Sequence, residues 1–231
     1  MATVLITGAN RGLGLEFCHQ YAINGWDVIA CCRQPEQASG LGQLAQQSPT
    51  IQIEALDVAD FNQIDLLSQK LSNRCIDVLI NNAGVYEDKQ SYGFGQLDYQ
   101  AWSHSLIINT QAPLKMAEAF LPQIKCSNKK LIVSISSLMG SIADNDSGGS
   151  ILYRSSKAAL NAAMKSLAIG LKDQSVGVLI FHPGWVKTDM GGPNGLINAE
   201  QSVAGMCALI KNFSFDQSGS FVKYDGTPMP W

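Results

Sequence analysis

Basic clusters are missing from this sequence. Lys129-Lys130 is the sole adjacent basic pair, and 16 Lys and Arg face 19 Asp and Glu for a net charge of −3. Nothing here would grip a phosphate backbone, so nucleic acid is not expected as a partner. No apolar run approaches the roughly 20 residues that span a bilayer, so no membrane segment is expected either. The start, Met1-Ala2-Thr3-Val4, has neither a basic leader nor a cleavage pattern, which predicts a cytoplasmic protein. Histidine is scarce. His19 and His104 have no partner in view, no His/Cys/carboxylate spacing suggests a metal, and His182 reads as a structural residue at a strand end rather than a base. Six cysteines stand at 18, 31, 32, 75, 126 and 207, none in C-x-x-C. Several lie in apolar stretches, so reduced core thiols are expected rather than a disulfide framework. Charged residues make up only 15% of the chain against 46% hydrophobic, so 231 residues can build a large core and disorder is excluded.

What is present alternates. Short strand-like segments end in small or polar residues: Val4-Leu5-Ile6, Trp26 to Cys32, the alternating Ile51 to Leu56, Asp77 to Ile80, Lys130 to Ile135, Val176 to Phe181 and Gly219 to Tyr224. Between them lie helical patterns, including a long one from about Asp98 to Lys125 expected to bend near Pro113, and a final one over Ala199 to Lys211. Asp60 is placed to cap the helix carrying Ile64, Leu67 and Leu71. This alternation predicts a doubly wound α/β fold: a mainly parallel, seven-stranded sheet with helices on both faces. No repeat, linker or composition break divides it, so residues 1–231 are read as one domain. Ligands of such sheets bind beyond the carboxyl ends of the strands, where Gly8, Asn81, Ser137 and Pro183 should gather. The segments Glu87–Gly95, Leu138–Ser150 and Met190–Leu196 read as loops around that cleft, with Gly191 to Gly195 mobile.

The first strand runs into Thr7-Gly8-Ala9-Asn10-Arg11-Gly12-Leu13-Gly14 and then an apolar helix. Strand, glycine turn and helix N-terminus together form a phosphate-binding unit, because glycines admit a close pyrophosphate and free N–H groups face it. The G-x-x-x-G-x-G spacing differs from the commoner G-x-G-x-x-G. After the second strand, where an acidic residue would hold an NAD ribose, Cys32 and Arg33 stand instead. Arg11 and Arg33 could pair with a 2′-phosphate, which favours NADP(H), with NAD(H) as the alternative.

Tyr153 and Lys157 are four apart, on one face of a helix whose buried stripe continues through Leu160, Ala163, Met164, Leu167, Ala168 and Leu171. A neighbouring ammonium favours the phenolate, so the pair is expected to lower the Tyr153 pKa and suit it to general acid catalysis. Asn109 sits unfavourably in mid-helix, which argues for a specific role.

Taken together, five ordered motifs resemble the short-chain dehydrogenase/reductase family over nearly the whole chain. They are Thr7 to Gly14; Asp57; Asn81-Asn82-Ala83-Gly84; Ser137 with Tyr153 and Lys157; and Pro183-Gly184 through Thr188. The wording Gly8-Ala9-Asn10-Arg11-Gly12 and the ending Tyr224 to Trp231 resemble a branch holding sniffer-type carbonyl reductases and bacterial C-factor proteins. The resemblance implies that Tyr153 protonates a carbonyl oxygen, Lys157 lowers its pKa and binds the nicotinamide ribose, Ser137 bonds the substrate oxygen, and Asn109 holds a relay water. Cofactor contacts implied are Gly8, Asn10, Arg11, Gly12, Leu13 and Gly14 at the phosphates, Asp57 and Val58 at the adenine, and Asn82, Ala83 and Gly84 on the adenosine side. Pro183, Gly184, Val186 and Thr188 would meet the nicotinamide end. Ser137 is preferred to Ser136 because Gly140 follows at S-x-x-G spacing. Fifteen residues separate Ser137 from Tyr153 (positions 138 to 152), more than the family usually has, so the substrate wall is not implied. The implied activity is NADPH-dependent reduction of an aldehyde, ketone or quinone by a homodimer or homotetramer. The alternatives are a nucleotide-binding signalling protein of the C-factor kind and a dehydrogenase running toward ketone.

Overall fold

The computed structural model describes residues 1–89 and 93–231. Seven strands form one wholly parallel sheet in the order β3-β2-β1-β4-β5-β6-β7. They are β1 Thr3–Thr7, β2 Asp27–Cys32, β3 Ile51–Ala55, β4 Val78–Asn81, β5 Leu131–Ile135, β6 Gly177–His182 and β7 Ser220–Lys223. The helices are α1 Gly12–Ile23, α2 Ser39–Gln47, α3 Phe61–Lys70, α4 Tyr99–Leu106, α5 Ala112–Lys125, α6 Ile151–Gly170 and α7 Ala199–Lys211. The middle of the Glu87–Gly95 loop, residues 90–92, lies outside the described residues.

Strand pleating explains the two cores. Successive side chains point to opposite faces, so a strand covered on both sides must be apolar throughout. In β1, Leu5 faces the core beneath α3, α5 and α6, while Val4 and Ile6 face the core beneath α1, α2 and α7. Phe120, Met116 and Met164 fill the first core; Phe17, Leu41 and Met206 fill the second. The stripe on α6 is realised, with Leu160, Met164, Ala168 and Leu171 buried.

The long helix is interrupted near Pro113, as expected: a wide turn at Ile107–Gln111 separates α4 from α5. The chain is helical on both sides of this turn, so Pro113, which has no N–H to give and whose ring crowds the carbonyl four residues back, disturbs the ladder there. One expectation changes. The cysteines divide. Cys18, Cys31 and Cys32 are buried free thiols and Cys207 is partly buried, but Cys75 and Cys126 form a disulfide. These two sit just before β4 and just after α5, far apart in sequence, so spacing gave no sign that they meet. No described helix is long and apolar enough to cross a membrane.

Candidate active site

The β1–α1 turn is built from backbone. Gly8 has φ +66°, and a Cβ there would lie 2.9 Å from Ala83 Cα. A Cβ at Gly14 would lie 2.1 Å from the Gly8 carbonyl oxygen. Only glycine lets α1 pack this closely on the end of β1. Asn82 fastens β4 to the same turn, its Nδ2 donating to Thr7 O at 2.9 Å and to Gly8 O at 3.1 Å. The N–H groups of Asn82 and Ala83 both donate to Thr7 Oγ1. At the N-terminus of α1, Arg11 offers no side-chain cap and no acid lies in the first turn, so N–H groups stay available to an anion.

A cavity of about 620 Å³ opens along the carboxyl edge of the sheet. Its wall brings together Gly8, Asn10, Arg11, Gly12, Leu13, Arg33, Asp57, Val58, Asn82, Ala83, Gly84, Tyr153, Lys157, Pro183 and Thr188. Among the residues the resemblance named, Gly14, Gly184, Val186, Asn109 and Ser137 are not on that wall. Gly14 is under the turn. Gly184 (φ +86°) makes room for Ile197 and Tyr224, and buried Val186 bridges to Ile197. The wall also includes Gln34 and Gln37, which no motif singled out, and Ile135, Lys187 and Met190, which lay in the expected strand, motif and loop without a role of their own. Gln34 and Lys187 directly adjoin named residues, so adjacency was the one available signal.

Arg11 does not stand free. It pairs with Asp189 across the cavity mouth, both side chains well exposed. Such a pair contributes about 1 kcal/mol at most, so an incoming phosphate can displace the carboxylate. Arg33 is exposed on the wall after β2. The segment expected to be mobile is tied back: Trp185 Nε1 donates to Gly191 O at 2.7 Å, and Gly192 N–H to Thr188 O at 2.8 Å.

Tyr153 and Lys157 are buried on the first two turns of α6, with Lys157 Nζ 5.7 Å from the Tyr153 ring centroid. Lys157 Nζ donates to Ile135 O at 2.8 Å. The expected lowering of the Tyr153 pKa is not what this arrangement gives. Burial pushes the phenol up to about 12, with the Ser137 hydrogen bond opposing and Tyr86 adding to the rise. Burial also brings Lys157 down to about 8. Desolvation outweighs the ammonium because Nζ is turned to a carbonyl rather than to the hydroxyl. At pH 7 the phenol therefore holds its proton beside a lysine that is still charged.

The Ser137 hydroxyl meets Tyr153 and accepts from Met139 N–H at 3.1 Å. Ser136 lines the cavity, but its hydroxyl is committed to buried Asn161 Oδ1 at 2.6 Å. Ser134 lies within β5. Gly140 earns its place physically: a Cβ there would lie 2.8 Å from the Lys157 carbonyl carbon, so the turn after Ser137 packs directly on α6. His182 is structural, as expected. Its Nδ1 accepts from Leu138 N–H at 3.1 Å, and burial, then Lys223, lower its pKa to about 4, with Asp225 opposing. Asn109, fully buried in the wide turn, accepts from Val85 N–H and donates to Val85 O and Ser156 Oγ, each at 2.9 Å. Its side chain is thus spent on holding the segment after β4 against α6.

Residues 2–196 match the family model described as short chain dehydrogenase. The chain is 40% identical over 156 residues to C-signal of Myxococcus xanthus, covering 68% of this chain and 93% of that protein. It is similar over its whole length to two solved structures. One is the carbonyl reductase Sniffer of D. melanogaster, 36% identical with TM-score 0.92 and full coverage of both chains. The other is an NADPH-bound carbonyl reductase from chicken fatty liver, 34% identical with TM-score 0.92, covering 100% of this chain and 99% of that one.

Proposed function

The chain belongs to the short-chain dehydrogenases and is an oxidoreductase; from there we propose that it reduces the carbonyl of an aldehyde, ketone or quinone, with Tyr153 as proton donor. The observation that carries this is the buried Tyr153, with Lys157 and Ser137 against it, on the wall of the same cavity as the glycine turn.

NADP(H) is the cofactor, as in the chicken liver relative. The glycine turn fits its pyrophosphate, and Arg33, with Arg11 once Asp189 lets go, fits a 2′-phosphate bidentately. When bound, the nicotinamide supplies the hydride. The protein's part is positional and electrostatic. Ser137 and Tyr153 hold the carbonyl oxygen, and Tyr153 gives it a proton. Lys157 then stabilises the phenolate left behind, which a buried site alone would penalise. Asp57, Val58, Asn82, Ala83 and Gly84 form the adenosine side of the wall, and Pro183 and Thr188 the nicotinamide end, with Gly14, Gly184 and Val186 shaping these walls from behind. Asn109 contributes by fixing residue 85. Met190 on the cavity wall and Tyr86 beside Tyr153 give the substrate an apolar rim.

A homodimer or homotetramer is favoured by exposed Tyr99 on α4 and Ile169 on α6, which leave apolar surface on those helices. Four free thiols suit a cytoplasm, whereas the Cys75–Cys126 pair counts against a strongly reducing one.

A second reading, a nucleotide-binding signalling protein with secondary catalysis, draws on the identity to C-signal. Incubating the protein with NADPH and a panel of aldehydes, ketones and quinones separates the two. Carbonyl-dependent loss of NADPH absorbance is expected. Tight NADPH binding without turnover on any member would favour signalling.

A further inference from the structure

Among the described residues, three of the α-helices are capped by their own flanking residue. Asp60 accepts from Asn62 and Gln63 N–H at α3, Asp98 from Gln100 and Ala101 N–H at α4, and Asn198 from Gln201 N–H at α7. Helix α6, which carries Tyr153 in its first turn, is different. The residue before it, Ser150, is left-handed (φ +44°), and its hydroxyl pairs with the Tyr86 hydroxyl at 2.7 Å rather than with the helix. No acid lies in the first turn of α6. Its N–H groups are met instead from 64 and 65 positions earlier. Asp88 Oδ1 accepts from Leu152 N–H at 3.1 Å, and Oδ2 from Tyr153 N–H at 2.8 Å.

We propose that Asp88 is a positioning residue for Tyr153: its carboxylate caps α6 from the β4–α4 loop and sets where the phenol stands in the cleft. This rests on Tyr153 being the proton donor. Both carboxylate oxygens are used, so the cap fixes the orientation of the first turn as well as its existence. The three residues that lead up to Asp88 are themselves pinned. Val85 is held by Asn109, the Tyr86 ring lies 5.0 Å from the Tyr153 ring, and Glu87 takes His104 Nδ1 at 2.7 Å and Ser105 Oγ at 3.1 Å. Helix ends fray unless tied down, and a phenol in the first turn moves with any fraying. A displacement near 1 Å costs up to about 10²-fold in rate.

The test is a cycle of Asp88→Ala, Tyr153→Phe and the double variant, with Asp88→Asn alongside. Turnover, NADPH affinity and melting temperature are measured for each, well below the melting point. Asp88→Ala is expected to lower kcat by roughly 10-fold while leaving NADPH affinity within about twofold, within ordinary context scatter. Asp88→Asn, which keeps one acceptor oxygen, should recover part of kcat. In the Tyr153→Phe background, Asp88→Ala should lower the melting temperature as before but cost no further turnover, because the group it positions is already gone. Unchanged kcat in Asp88→Ala, or an equal loss of turnover in both backgrounds, overturns the proposal. If Asp88→Ala does not fold, Asp88→Asn decides: wild-type kcat overturns the positioning role, and a loss repeated undiminished beside Tyr153→Phe does too. Normal turnover in Tyr153→Phe alone would instead remove the proton-donor reading, and this proposal with it.

Discussion

Two helix N-termini face the same cleft and are treated in opposite ways. That of α1 is left open: Arg11 does not cap it, no acid lies in its first turn, and glycines bring its N–H groups to the cavity wall. That of α6 is closed by Asp88. Since helix N-termini attract anions, the open end is where a phosphate belongs, and the sealed end is reserved for a neutral reacting group. Under the proposed function this difference would sort charge along one cavity: pyrophosphate at α1, an uncharged carbonyl at α6.

The open end breaks most easily. Gly14→Ala puts a Cβ on the Gly8 carbonyl and Asn82 side chain, and should cost about 3 kcal/mol or more. It should also abolish the rise in melting temperature caused by NADPH. A melting curve that still responds to NADPH would mean that the turn is not the phosphate site. Next in size is a control remote from both ends. Replacing Cys75 and Cys126 by Ser should lower stability by about 2–4 kcal/mol yet leave kcat unchanged wherever the variant is folded. Six rather than four reactive thiols in the denatured, unreduced wild-type protein would refute the bond.

The sealed end is sharpened by pH. His182 holds the turn that presents Ser137, and it resists protonation until about pH 4 in the folded protein. An unfolded histidine accepts a proton near 6.5, so the unfolded chain binds more protons between these values and stability falls as pH drops from 6.5 to 4. The contribution is on the order of 2 kcal/mol, and His182→Asn should flatten that part of the stability profile. Smaller still is the effect of Lys157. Its ammonium is present at pH 7 and lost as pH rises through about 8. The kcat/KM for NADPH, which reports the free enzyme, should therefore fall above pH 8 by up to about tenfold per unit; a profile flat to pH 10 would contradict it.

The same comparison shows what could be read beforehand. The open end was legible because its determinants are contiguous: Val4-Leu5-Ile6 and then glycines at 8, 12 and 14. Asp60 was legible as a cap for the same reason, lying one residue from the helix it serves. The inner strands were legible because burial on both faces makes them nearly continuous apolar runs, and edge strand β3 by its alternation of Ile51 and Ile53 with Gln52 and Glu54. The sealed end was half legible. Tyr153 and Lys157 declare themselves by helical spacing, but Asp88 reaches Tyr153 from 65 residues away, and nothing local marks it. Cys75 and Cys126 escaped notice on the same grounds. The direction of the Tyr153 pKa was misjudged because a side-chain pair was considered without its burial. The ion pair of Arg11 with Asp189 depends on a return of the chain after β6 that only topology supplies.

The most direct test is the Tyr153→Phe variant, read for NADPH binding and for carbonyl reduction in the same preparation. Removing the proton donor should cut turnover by ~10²-fold or more and leave the NADPH dissociation constant nearly unchanged. Wild-type turnover in that variant would contradict the account at its centre.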